Sequence, residues 1–166
     1  MSQWTAAHVA AIAGQPVPAA PIIDPQQAKP VLSEHDLWDL WPLQNADGSI
    51  AKIAGGALWM VLSAPRLDDP GLRHDIARIR MLHLVDGQWH DCGLLFPNDL
   101  NPGSREWSGS ARYDAATSAV TAYFTATGRR GDTTQNFEQR LFQTTGNFSD
   151  AAIGILQRPK IPKIMF

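Results

Sequence analysis

The stretch Ile76-Ala77-Arg78-Ile79-Arg80-Met81-Leu82-His83-Leu84-Val85-Asp86-Gly87-Gln88-Trp89-His90-Asp91-Cys92-Gly93-Leu94-Leu95-Phe96 reads as one β-strand folded back on another. Two runs of strand-like residues flank Asp86-Gly87, a dipeptide suited to the left-handed backbone of a two-residue hairpin loop. Upstream, Ala57-Leu58-Trp59-Met60-Val61-Leu62-Ser63 is almost wholly apolar between Gly55-Gly56 and Pro65, as expected of a strand buried on both faces. Downstream, Ala119 to Thr127 alternates: Val120, Ala122, Phe124 and Ala126 fall on one face, Thr121, Tyr123, Thr125 and Thr127 on the other. Asn136 to Thr144 continues the series, with Phe137 and Leu141 on one face and Phe142 on the opposite one. No helical period intervenes, so the chain is all-β from about Trp38 onward.

The N-terminus differs. Ser2 is a candidate cap for a short helix over Gln3 to Ile12, expected to rest on a larger body. The prolines at 16, 18, 21, 25 and 30 then predict an extended arm. Residues 1–36 are thus a helix and arm, 37–150 the β body, and 151–166 an extended tail.

Leu37-Trp38-Asp39-Leu40-Trp41-Pro42-Leu43-Gln44 sets one carboxylate between two indoles. Indole faces stack on the C–H faces of sugar rings, and a carboxylate accepts hydroxyls or attacks an anomeric carbon. The same composition also suits a buried turn or strand start. Three further stretches follow in order: Arg73-His74-Asp75-Ile76-Ala77-Arg78-Ile79, Asp86-Gly87-Gln88-Trp89 and Arg105-Glu106-Trp107-Ser108-Gly109-Ser110-Ala111. Together with Trp38-Asp39 they resemble glycoside hydrolase family 68, the levansucrases, inulosucrases and related β-fructofuranosidases. The resemblance runs from about Val31 to about Gly146.

That resemblance implies a five-bladed β-propeller with a sugar site at the mouth of its channel. It implies that Asp39 is the nucleophile, that Trp38 and Trp107 line the fructosyl pocket, and that Ser108 donates a hydrogen bond to Asp39. The family's acid/base Glu and the stabilising Asp of its Arg-Asp-Pro motif have no counterpart in these residues; Arg158-Pro159 lacks the intervening Asp. Glu106 reads as structural, since in a strand it points away from the face of Trp107. Arg73, His74 and Arg78 are expected to hold the rim and core by hydrogen bonds. Trp41 and Trp89 are expected to be packing, and His35, Asp36 and His90 surface or turn residues. No metal and no cofactor are expected.

Setting aside the arm leaves about 130 residues, or about three blades at roughly 40–45 residues each. Unpaired strand edges call for cover, so the expected partner is a second polypeptide bearing the missing Glu and Asp, with the tail ending in Ile164-Met165-Phe166 packed on it. The expected small molecules are sucrose and fructosyl acceptors. The alternatives are a non-catalytic sugar-binding module and an inactive truncated fragment.

Composition narrows the partners. Fourteen Lys and Arg against sixteen Asp and Glu give a formal net charge of −2, with no basic stripe of the kind that tracks nucleic acid. No stretch approaches a membrane span. Cys92 is the only cysteine, which excludes an intrachain disulfide. No Lys or Arg precedes Lys29, so no charged leader is visible and the expected compartment is either the cytoplasm or one reached by a route the sequence does not display.

Overall fold

A computed structural model describes residues 4–14, 16, 22, 24–96, 102–128, 137–147 and 163–164. The chain divides into two compact units, Met1–Pro30 and Val31–Phe166. In the first, helix α1 (Ala6–Ala13) begins at Thr5, whose side chain accepts from the His8 backbone N–H while the His8 ring accepts from the Thr5 N–H. This reciprocal cap satisfies two N–H groups that a helix start leaves without partners, and it moves the start from Ser2 to Thr5. Pro25–Gln27 form a single 3₁₀ turn capped by Asp24, so the arm is extended only in part.

Among the described residues the second unit holds nine strands: β1 (His35–Gln44), β2 (Lys52–Ile53), β3 (Gly56–Pro65), β4 (Arg78–Val85), β5 (Gln88–Leu94), β6 (Arg105–Asp114), β7 (Ala119–Thr127), β8 (Gln139–Asn147) and β9 (Lys163–Ile164). Their order is β5-β4-β3-β1-β6-β7-β8-β9, with β2 beside β3. All pairings are antiparallel except one: β1 and β6 run parallel, through Leu43 with Ala111 and Gln44 with Arg112. Two antiparallel sheets, β1-β3-β4-β5 and β6-β7-β8-β9, therefore meet at β1 and β6.

The hairpin forms as its sequence requires. Asp86 and Gly87 have φ of 48° and 76°, and Val85 pairs with Gln88 across a two-residue loop. Strand β7 has the expected limits, and Val120, Ala122, Phe124 and Ala126 are buried while Thr121, Tyr123 and Thr125 are half-buried. Strand β3 is buried along nearly its whole length on both faces. Strand β8 starts three residues later than the sequence suggested, leaving Phe137 ahead of it and exposed.

One apolar core joins the two sheets. Leu58, Met60 and Leu62 of β3 with Ile79 and Met81 of β4 meet Ala111, Val120, Ala122, Phe124 and Phe142 of the second sheet. Phe124 lies 4.9 Å from Phe96 and 5.6 Å from Phe142, ring centre to ring centre. Trp41 belongs to this core, and Trp89 packs edge-on against Trp59 at 6.0 Å, both packing as expected.

Of the tail 151–166, only Lys163 and Ile164 are among the described residues, paired with Gln143 and Phe142 of β8. Packing of that tail on a partner chain concerns residues outside the described ones. His35 and Asp36 are not surface turn residues: both lie in β1 and are half-buried, His35 beside Arg80 at 3.1 Å and Asp36 against Arg66 at 3.5 Å. The reason is length, since β1 begins three residues before Trp38 and pairs with β3 as far as His35 and Pro65.

Candidate active site

Strand β1 breaks step at Asp39, the candidate nucleophile. Trp38 pairs with Leu62 and Trp41 with Met60, so Asp39 and Leu40 together oppose Val61 alone. This is a β-bulge, which bends a strand and re-aims a side chain. Asp39 sits there in the left-handed region with φ of 51°, a conformation that costs most residues about 1–2 kcal/mol and that Asp tolerates comparatively well. Its carboxylate is exposed, between half-buried Trp38 and buried Trp41.

Strand β6 breaks step in the same way. Trp107 pairs with Thr125 and Gly109 with Phe124, so Ser108 has no residue opposite and is exposed. Gly109 allows it: a Cβ there would run into the Tyr123 carbonyl oxygen. Asp39 lies four positions before the parallel bridge at Leu43, and Ser108 three positions before its counterpart Ala111. The two bulges thus stand near each other in level on adjoining strands. Among the described residues no side-chain hydrogen bond joins Ser108 to Asp39, so the expected donation is not made in this structure.

The tryptophans before the bulges are linked through a third element. Asp69 caps the 3₁₀ helix Pro70–Asp75 by accepting from the Gly71 N–H at 2.8 Å, with Pro70 at its first position. This short helix carries Arg73 and His74 to the indoles. The His74 ring is stacked on Trp107 at 6.1 Å and edge-on to Trp38 at 5.5 Å, while the Arg73 guanidinium lies 5.2 Å from the Trp38 ring centre. Trp107 donates from Nε1 to Thr127 Oγ1 at 2.7 Å, and Arg105 lies 6.0 Å from its ring. Among the described residues Arg73 and His74 therefore make ring contacts, not the side-chain hydrogen bonds expected of them. Of that trio only Arg78 makes such bonds among the described residues.

Glu106 is fully buried. Its Oε1 accepts from Arg78 Nε at 2.9 Å and its Oε2 from the Ile79 backbone N–H at 2.7 Å, while Arg78 Nη2 donates to the Phe96 carbonyl at 2.7 Å. Burial pushes the carboxyl above its ordinary value; Arg78 and the Ile79 N–H pull it back without cancelling the effect. The residue ties β6 to β4 and is spent on structure. Next to it, Arg105 is paired to Asp75 at 2.9 Å, a second tie between β6 and the 3₁₀ helix. A cleft of about 340 Å³ lies elsewhere, lined by His35, Ser63, Arg78, Arg80 and Ser104 among others, and none of Trp38, Asp39, Trp107 and Ser108 borders it. Its serines are already engaged, Ser63 with the Arg78 carbonyl and Ser104 with that of Thr127.

Residues 1–153 match the levansucrase/invertase family, Glyco_hydro_68. The chain belongs to this family. A levansucrase of Zymomonas mobilis subsp. mobilis is 31% identical over 130 residues, covering 75% of this chain and 30% of that protein. A Bacillus subtilis levansucrase is 35% identical over 92 residues, covering 47% of this chain and 18% of that protein. Among solved structures, an inulosucrase from Halalkalicoccus jeotgali bound to kestose superposes with a TM-score of 0.75 at 35% identity, over 88% of this chain and 36% of that one. The chain spans about a third or less of the length of these relatives. Its fold is part of the family's five-bladed β-propeller. No helix among the described residues is long and apolar enough to cross a membrane.

The sequence missed the bulges. The signals were present, an Asp inside a strand-forming run and a Ser-Gly pair inside another, but register is a property of two strands and a single strand does not display it.

Proposed function

We propose that this chain is the nucleophile-bearing part of a retaining fructosyl enzyme acting on sucrose. The observation that supports this best is the pair of bulges on the parallel junction strands, which leaves Asp39 and Ser108 exposed at nearby levels, each next to a tryptophan, Trp38 and Trp107. Family membership supplies the reaction class, and an inulosucrase that binds kestose supplies the chemistry of a fructosyl ligand.

In the first step an oxygen of Asp39 forms a bond to the anomeric carbon of the fructosyl unit. The bond from that carbon to the glycosidic oxygen breaks, and the glucose oxygen takes a proton from a general acid. In the second step a water or sugar hydroxyl attacks the same carbon, gives its proton to the conjugate base, and frees Asp39. Ser108 and the indoles position the ring for both steps.

The general acid must stand about 5 Å from the nucleophile. The carboxylates on neighbouring segments are committed elsewhere, Asp36 to Arg66, Asp75 to Arg105 and Glu106 to Arg78. A second polypeptide bringing the acid/base Glu and the stabilising Asp completes the reading. The test compares sucrose turnover by residues 1–166 alone with turnover by their complex with the polypeptide that co-purifies from the native source. The expected result is none alone, turnover in the complex, and a loss of more than about a thousandfold in Asp39→Asn of an intact complex. Full activity of the lone chain removes the need for a partner. Sugar binding without turnover in any assembly identifies a non-catalytic carbohydrate-binding module.

A further inference from the structure

Four arginines among the described residues are not exposed: Arg73, Arg78, Arg80 and Arg105. Three of them have a carboxylate within 2.9 Å, respectively Glu106 for Arg78, Asp91 for Arg80 and Asp75 for Arg105. Arg73 has none. Its side chain makes no ion pair and no hydrogen bond with any described residue, and its Nε is sealed from solvent without a partner. The Nε of Arg80 and that of Arg105 are orphaned in the same way, so what sets Arg73 apart is that its terminal N–H groups also meet no carboxylate or carbonyl among the described residues, which leaves them available to a ligand.

Arg73 is presented by the 3₁₀ helix Pro70–Asp75, whereas the attacking carboxylate and Ser108 belong to the junction strands. Attack by Asp39 requires the fructosyl ring to lie against those strands. Arg73 stands over Trp38, at the edge of the indoles that would hold the fructosyl ring, so a sugar unit attached to that ring can come within reach of its guanidinium. Resting on the fructosyl reading above, we propose that Arg73 is a specificity-determining residue that donates its planar fork to two adjacent hydroxyls of the sugar unit attached to the fructosyl group. A neutral diol accepts two parallel N–H bonds from one guanidinium, as a carboxylate does. The compact ammonium of lysine cannot reproduce that geometry.

The experiment measures binding to the chain of residues 1–166 by chemical-shift changes of the tryptophan indole N–H signals. The probes are sucrose, which carries the attached glucose, and methyl β-D-fructofuranoside, which carries only a methyl group there. Wild type, Arg73→Gln and Arg73→Lys are compared, with circular dichroism as the check on fold. The expected result is that both variants weaken sucrose about tenfold or more and leave the methyl fructoside within about twofold. Equal losses for both probes would overturn the proposal, because they would mean that Arg73 only props Trp38. Unchanged sucrose affinity would also overturn it and leave the guanidinium for a carboxylate of the completing polypeptide. Failure of the folded wild-type chain to bind either probe would instead count against the fructosyl site itself.

Discussion

Strands β7 and β1 are nearly the same length and both cross the core, yet they are built differently. Strand β7 pairs without interruption with β8 from Ala119 and Asn147 to Thr127 and Gln139, and its even-numbered side chains are all buried. Strand β1 serves two sheets, antiparallel to β3 and parallel to β6, and breaks step at Asp39. The uninterrupted strand gives every second side chain to the core, and the interrupted one gives Trp41 and Leu43 to it while exposing the candidate nucleophile Asp39. A bulge releases one residue from the alternation that would otherwise force each side chain either into the core or away from it. Strand β6 repeats the lesson, since Glu106 is sealed in the interior while Ser108, two residues on, stands in the open.

The comparison breaks most easily at Phe124. Its ring sits between Phe96 and Phe142, so Phe124→Ala should cost about 3–5 kcal/mol in urea unfolding, whereas Thr125→Ala on the other face of β7 should cost less than about 1 kcal/mol. Similar costs for the two would show that β7 does not separate an inner from an outer face.

The bulge in β1 predicts a smaller effect of opposite kind. At φ of 51° alanine is strained and glycine is not, so Asp39→Gly should be more stable than Asp39→Ala by about 1 kcal/mol, reversing the usual strand preference for alanine. Denaturation midpoints of the two variants decide it. An Asp39→Ala more stable than Asp39→Gly would mean an ordinary extended residue at this position.

The smallest expected signal is a pH slope. The Glu106 carboxyl lies above its ordinary value in the folded chain, so between that ordinary value of 4.5 and its folded value the native state holds more proton than the unfolded state. The contribution of Glu106 is then fully present below 4.5 and declines as pH rises through the folded value. Glu106→Gln should remove that decline, visible as a flatter dependence of unfolding free energy on pH above 4.5. An identical slope in the variant would mean that Arg78 fully offsets the burial.

Much of the fold was legible because period and turn chemistry are local. Asp86-Gly87, the alternation of Ala119 to Thr127 and the apolar run of β3 each announce their conformation within ten residues or fewer. Other features depend on partners distant in sequence. The Arg78–Glu106 tie spans 28 residues, and the Trp38-His74-Trp107 contacts draw on three separate elements. The parallel bridge of β1 to β6 has no local signature at all. Trp38, Asp39, Trp107 and Ser108 were readable as candidates because their motifs are distinctive. That two bulges would bring them to nearby levels was not readable, because register is decided by β3 and β7.

The central claim is that Asp39 forms a covalent bond to the fructosyl unit. The direct measurement is rapid acid quenching of the proposed complex during incubation with sucrose, followed by protease digestion and peptide mass determination. The account predicts one added anhydrofructosyl unit on the peptide containing Asp39, absent in Asp39→Asn. A fructosyl adduct on any other carboxylate, with the Asp39 peptide unmodified, would contradict it.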